Sequence, residues 1–229
     1  MKLFCWLGCI LGVSLGLRAN ECRECAGCAE PVQIALDQSG PRLIPGENDQ
    51  EWLPLLQTLA AKNAVFATFN EQRWFSFRRK PVVLAGEMRM EPTRGLSLRY
   101  LKPDEKMMIV DSRGIVLRNA RGRSRGVKSD PRSPNTGEAL LRVMRFDLEN
   151  LVTDFDMHAV RSGERWRFDF VPRVEQFAAS VGPITVWGEE SEVTRLEMKP
   201  TKGPRIEITI TSASDQVVFT KEEVSKYFR

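Results

Sequence analysis

Strict alternation of apolar and polar residues constrains this chain more than any other feature. Gly86-Glu87-Met88-Arg89-Met90 and Leu96-Ser97-Leu98-Arg99-Tyr100 alternate without a break. Arg165-Trp166-Arg167-Phe168-Asp169-Phe170 and Arg205-Ile206-Glu207-Ile208-Thr209-Ile210 do the same. A period of two places successive side chains on opposite faces, so each strand buries one face and wets the other. Five consecutive strands are predicted between Phe66 and Arg118, divided by Pro81, by Pro92 with Gly95, by Pro103-Asp104 and by Ser112-Arg113-Gly114. Four or five more are expected from Met157 to Thr211. Helical patterns are few. Asp49 to Lys62 carries Trp52, Leu55, Leu56 and Leu59 on one face, and Pro54 is tolerated in a first turn. Glu138 to Arg145 follows a possible Thr136 cap. A second short helix after Asp147 carries Leu148, Leu151, Val152 and Phe155. Thr220-Lys221-Glu222-Glu223 fits a capping box ahead of Val224, Tyr227 and Phe228. With so few helices to cover the apolar face, a sheet curved around an apolar cavity is expected. Eight strands close into a barrel that holds one small ligand at most, whereas nine or ten in an incompletely closed sheet leave a larger concavity.

The first residues set the compartment. Lys2 precedes the uncharged run from Leu3 to Leu17, and Arg18-Ala19-Asn20 follows. Such a run suits a signal-peptide core and falls short of the roughly 20 residues that span a bilayer. Export is therefore expected, with Ala19 as a cleavage position; an uncleaved signal acting as a tether is the alternative. Residues 20–48 read as a flexible leader containing Pro31, Gly40, Pro41, Pro45 and Gly46. Within it Cys22, Cys25 and Cys28 are spaced CxxCxxC. Two of them can oxidise in an exported protein, leaving one over. A metal site lacks a fourth ligand there, and a lipid-attachment site would abut the apolar run more closely.

Composition narrows the chemistry. The chain has 229 residues, 34 basic and 30 acidic, for a net charge of +4, too mild a balance for a nucleic-acid partner. Arg121, Arg123, Arg125 and Lys128 fall in a long loop over 121–137, which reads as solvated. The only histidine, His158, sits on a strand between Met157 and Ala159 and reads as structural. Asp154 and Asp156 fit a turn. Trp74, Trp166 and Trp187 fit core or cavity wall. No GxSxG elbow, HExxH pair or phosphate-cradling glycine loop occurs, so neither catalysis nor a cofactor is expected.

Over residues 50–220 an ordered set of segments resembles the periplasmic outer-membrane lipoprotein carrier family, the LolA-like proteins, as a divergent branch. The set comprises the helix from Trp52 to Lys62, Phe66-Ala67-Thr68-Phe69, and Gly86-Glu87-Met88 with Pro92 at its turn. It continues with Leu98-Arg99-Tyr100-Leu101-Lys102-Pro103-Asp104-Glu105 and with Met108-Ile109-Val110-Asp111 before Gly114. Two short helices followed by strands fit 138–211 in order. The resemblance implies a mainly β fold with helices: a strongly curved, incompletely closed antiparallel β-barrel with a helical lid over an apolar cavity. With the segments read above, the expected organisation is a signal peptide at 1–19, a leader at 20–48 and a LolA-like binding domain at 49–229. The resemblance further implies a monomeric periplasmic carrier that shields the acyl chains of a lipoprotein or other acylated cargo. The implied partners are an inner-membrane release complex and an outer-membrane acceptor.

The ligand-binding residues expected on that basis are Phe69, Met88, Met90, Leu96, Leu98, Tyr100 and Met108. Leu140, Leu141 and Met144 would join them from the lid. Methionine suits such a wall because it repacks around varied shapes. Classical carriers latch the lid with an arginine just before the second-strand proline. Here that residue is Glu91, so Arg89 or Arg94 would have to act with it. Glu71 and Arg73 also depart from the family pattern, which opens the cargo to a glycolipid or another acylated metabolite. The competing reading is a non-carrier periplasmic binding module, a sensor or a tethered envelope-assembly factor, on the same fold.

Overall fold

The computed structural model describes residues 36–127 and 136–229, apart from the side chains of Thr136 and Glu149. The expected signal segment, Cys22, Cys25, Cys28 and Lys128 lie outside the described residues. In chain order the elements are α1 (Leu53–Ala60), β1 (Val65–Trp74), β2 (Val82–Glu91), β3 (Gly95–Lys102), β4 (Lys106–Asp111), β5 (Gly114–Asn119) and β6 (Ser124–Gly126). There follow α2 (Thr136–Arg145), α3 (Leu148–Asp154), β7 (Phe155–Ser162), β8 (Arg165–Pro172), α4 (Glu175–Ser180), β9 (Ile184–Glu189), β10 (Glu192–Met198), β11 (Arg205–Ser214) and α5 (Lys221–Tyr227). The strands form one sheet in the order β6-β5-β4-β3-β2-β1-β11-β10-β9-β8-β7. Every pairing between neighbours is antiparallel. The link between β1 and β11 joins two runs of consecutive strands into one surface.

This arrangement corrects the expectation of a strongly curved near-barrel. The sheet has eleven strands, stays open, and ends at two separate edges, β6 and β7. The physical reason lies in the helices, which cover more of the apolar face than the sequence suggested. Leu55, Leu56 and Leu59 of α1, Leu141 and Val143 of α2, Leu151 of α3 and Phe177 of α4 all join one core with the strands. A sheet whose apolar face is covered by helices need not close on itself to bury that face. Two elements went unforeseen, α4 and the three-residue β6 inside the expected loop.

The edge at β7 is itself covered. Leu43 N–H donates to Met157 O at 2.7 Å, and Ala159 N–H donates to Pro41 O at 3.2 Å. Residues 41–43 thus occupy hydrogen-bonding groups that would otherwise template another chain. The core beneath β7–β9 is aromatic: Phe168 meets Trp166 at 5.2 Å and Trp52 at 5.1 Å between ring centroids. Edge and tilted arrangements of this kind favour the positive rim of one ring against the negative face of the next.

The opposite face of the sheet is covered by α5. Thr220 accepts from Glu223 N–H, and Glu223 accepts from Thr220 N–H, so the capping box forms as its sequence predicts. Tyr227 and Phe228 pack on Met107 and Ile109 of β4. Arg229 pairs with Asp111 and donates to Gly114 O at 2.9 Å. Burial opposes ionisation of Asp111, but hydrogen bonds from Arg229 and Arg113 outweigh it and hold its carboxyl below the usual range.

Close packing between β1 and β3 passes over Gly86. A Cβ there would lie 2.4 Å from the backbone oxygen of Arg99 and 2.9 Å from Phe69 Cζ. Gly86→Ala is therefore expected to destabilise the protein by about 1–3 kcal/mol, because the obstruction is backbone and the strands must shift. Thermal unfolding of the variant beside the parent measures this.

Candidate ligand-binding cavity

The inner face of β1–β4 is built by register. Ala67 stands opposite Met88, Met88 opposite Leu98, and Leu98 opposite Met108. Across the junction between β1 and β11, Glu71 stands opposite Ile208, and Ile208 opposite Leu196 of β10. Period-2 alternation puts Ile206, Ile208 and Ile210 on this same face. The helix α2 lies above it, with Leu140 and Met144 turned down.

Between α2 and the sheet lies a cavity of about 210 Å³ with an almost wholly apolar wall. Met88, Leu96, Leu98, Tyr100 and Met108 supply one side, Leu140 and Met144 the roof, and Leu196, Met198 and the three isoleucines of β11 the other side. A smaller cavity of about 60 Å³ continues towards α1, where Leu59, Met90, Val143 and Phe146 line it. Met88, Met144, Leu196 and Ile210 line both.

Of the ten residues singled out from the sequence, seven meet around the larger cavity, and Met90 lines the smaller one. Phe69 and Leu141 sit in the core. Phe69 supports the cavity from behind, its ring edge-on to Tyr100 at 5.7 Å. Leu196, Met198, Ile206, Ile208 and Ile210 were not singled out. Their alternation was legible, but the pairing of β11 with β1 that brings them to this wall was not.

The three residues considered as a latch have partners elsewhere. Arg89 alternates with Met88 and Met90 onto the opposite face, where its guanidinium lies 3.7 Å from the Tyr227 ring centroid and 4.8 Å from that of Phe66. It also pairs with Glu87 at 3.0 Å. Glu91 accepts from the Thr93 hydroxyl and pairs with Arg94 at 3.7 Å within the β2–β3 turn. On α2, Arg142 pairs with Asp154 of α3 and with Glu138 at 2.9 Å.

Other candidate residues are similarly committed. Asp156 accepts from Arg42 at 2.6 Å and Arg173 at 2.8 Å. His158 Nδ1 lies 3.0 Å from Gly40 O. Trp166 is core, whereas Trp187 lies beneath the guanidinium of Arg195 at 4.3 Å. Among the described residues no cluster of histidine, cysteine and carboxylate side chains could hold a metal ion.

One end of the larger cavity is polar. Glu71, only 1% exposed, pairs there with Arg73 and accepts a hydrogen bond from the Tyr100 hydroxyl at 2.9 Å. Arg73 also donates to that hydroxyl at 3.2 Å and lies over the Tyr100 ring. A buried carboxylate is tolerated only when paired and hydrogen-bonded. Burial works against the charge on Arg73, yet hydrogen bonding and attraction to Glu71 raise its pKa. Burial, followed by the neighbouring Glu71 charge, pushes the Tyr100 phenol well above its usual range. A raised phenol pKa means that this contribution to stability is whole below about pH 10 and is lost as pH rises through the folded-state value. Tyrosinate absorbance should reveal a phenol that remains protonated well past that point, and Tyr100→Phe should remove it. The same variant is expected to lose about 1–3 kcal/mol of stability, since Glu71 loses a donor.

Residues 45–226 match the family described as outer membrane lipoprotein carrier protein LolA-like. Among curated proteins none matches the chain. Similar solved structures include a LolA superfamily protein from Nitrosomonas europaea, 6% identical with a TM-score of 0.40, covering 75% of this chain and 96% of that one. A DUF1329 family protein from Desulfovibrio piger is 8% identical, with a TM-score of 0.43 and coverage of 74% and 92%. MucB is 15% identical, with a TM-score of 0.40 and coverage of 75% and 60%. At these levels the three likenesses carry no functional argument. The family match spans most of the chain. The chain belongs to the LolA-like family of outer-membrane lipoprotein carrier proteins.

Proposed function

We propose that the protein is a periplasmic carrier that shields the acyl chains of a lipoprotein or other acylated lipid on its way to the outer membrane. The observation that supports this most is the apolar cavity roofed by α2, adjacent to a second apolar space with which it shares four wall residues. Each methylene moved from water into such a wall gains about 0.8 kcal/mol, so a chain of about 16 carbons gains on the order of 12 kcal/mol. The cavity of about 210 Å³ is smaller than the roughly 300–1,000 Å³ of ordinary ligand sites. A long acyl chain therefore has to displace α2, with Leu140 and Met144 giving up contacts that the ligand replaces. Loading from an inner-membrane release complex and unloading to an outer-membrane acceptor would then be movements of one helix over a fixed sheet.

Leu98→Glu and Met108→Glu each place a carboxylate in the cavity wall. Each is expected to weaken binding of a fluorescent fatty acid by on the order of a hundredfold or more while the protein still folds. Fluorescence titration beside circular dichroism tests this, and full binding by both variants would remove the cavity from the proposal. Native mass spectrometry of protein taken from the periplasm without detergent is expected to show a bound acylated species.

A further inference from the structure

The turn between β1 and β2 runs Phe75-Ser76-Phe77-Arg78-Arg79-Lys80. Phe77 is 80% exposed, and its ring lies tilted against that of the half-buried Phe75 at 5.3 Å between centroids. Arg78, Arg79 and Lys80 are exposed beside them, with no carboxylate in the turn. Val83 adds an exposed apolar side chain next along the chain. At the same end of the sheet the β10–β11 connection carries Lys199 and an exposed Lys202 and leads into Arg205 of β11, with Lys199 and Arg205 paired to Glu197 at 3.0 and 2.9 Å. We infer that this end of the protein docks on an anionic lipid bilayer, with Phe75 and Phe77 entering the interface and the basic residues on the headgroups. A solvent-exposed aromatic ring backed by a second and flanked by cations matches a membrane interface in both apolar and charge content. A protein partner is the weaker fit, because a stable protein interface takes about 800 Å² from each side, more than one turn supplies.

The position of the turn gives the docking its use. Arg73, which bounds the polar end of the larger cavity, lies near the end of β1, two residues before Phe75 of the turn. Met198 and Ile206, also in the cavity wall, flank the β10–β11 connection. Docking by the turn therefore sets the Arg73 end of the cavity against the lipid surface, where an acyl chain can pass without crossing water. This use of the surface rests on the carrier reading; the docking itself does not.

The test is flotation of the full chain with vesicles of phosphatidylcholine containing phosphatidylglycerol, and with vesicles of phosphatidylcholine alone. The protein is expected to float with the anionic vesicles only. Each basic residue removed in an Arg78→Gln, Arg79→Gln, Lys80→Gln series should weaken partitioning by about fivefold. Phe75→Ser with Phe77→Ser should weaken it as well, with far-ultraviolet circular dichroism unchanged. Fatty-acid binding in vesicle-free solution, measured on the same variants, should stay at the parent level. Flotation without fatty-acid binding removes the carrier reading and keeps the docking surface. Fatty-acid binding without flotation, or flotation that ignores the turn variants, overturns the docking surface. Cross-linking of the turn to a protein in the absence of any vesicle binding also overturns it.

Discussion

A sheet that stays open must have its apolar inner face covered by something other than itself, and most of this architecture follows from that requirement. Eleven antiparallel strands present a long surface, and α1 to α4 cover it in sequence. The coverage is uneven. Under β7–β9 the rings of Trp166, Phe168 and Phe170 fill the space beneath α1 and α3. Over β1–β4 and β11 the side chains are mostly methionine, leucine and isoleucine, with Phe69 and Tyr100 at one end, and α2 leaves a gap. Rigid aromatic packing at one end and pliable aliphatic packing at the other divide the core into a fixed part and a part that can repack.

The buried pair of Glu71 and Arg73 gives the pliable end its one point of direction. An isolated carboxylate at that depth would be strongly unfavourable. The Tyr100 hydroxyl and the Arg73 guanidinium satisfy it, and the Phe69 ring locks Tyr100 from behind. Gly86 permits that ring contact, since a larger residue would collide with both Phe69 and the β3 backbone. A local departure from the family pattern at Glu71 and Arg73 is thus supported by neighbours on β2 and β3.

Much of this could be read from the sequence, for a definite reason. Alternation is a local property, so β1 to β5, the inward set Met88, Leu98 and Met108, and the capping box at Thr220 were all accessible to a reading of short windows. The arrangement of strands is not local. Nothing in Arg205 to Ile210 indicates that it pairs with β1, so the wall formed by Ile206, Ile208 and Ile210 was invisible until the register was known. The error in fold class has the same root. Counting helical patterns missed α4 and undervalued α1, and a sheet that seemed to need its own curvature for cover proved to have helices for it. The latch was likewise sought on β2 by analogy. Strand parity sends Arg89 to the face of α5, and the charged side chain tying α2 to its neighbour is Arg142.

Release is the harder half of a carrier's task, and the packing of α2 bears on it. If the cavity were permanently open, every buried methylene would add its full transfer free energy to binding, and a long acyl chain would hardly leave. A roof that already rests on the wall changes the balance. A ligand must first separate Leu140 and Met144 from the sheet, so what it gains is only the difference between its own contacts and theirs. The ion pair of Arg142 with Asp154 of α3 is partly solvated and binds the roof weakly, at about 0–1 kcal/mol for such a pair, while the pair with Glu138 lies within α2 itself. Under the proposed function, closure of α2 would compete with the ligand for the same apolar wall. It would lower net affinity and supply a resting state in which the empty cavity is not exposed to water. The holding strength of such a carrier would then depend less on the size of the cavity than on how well the roof fits it when empty.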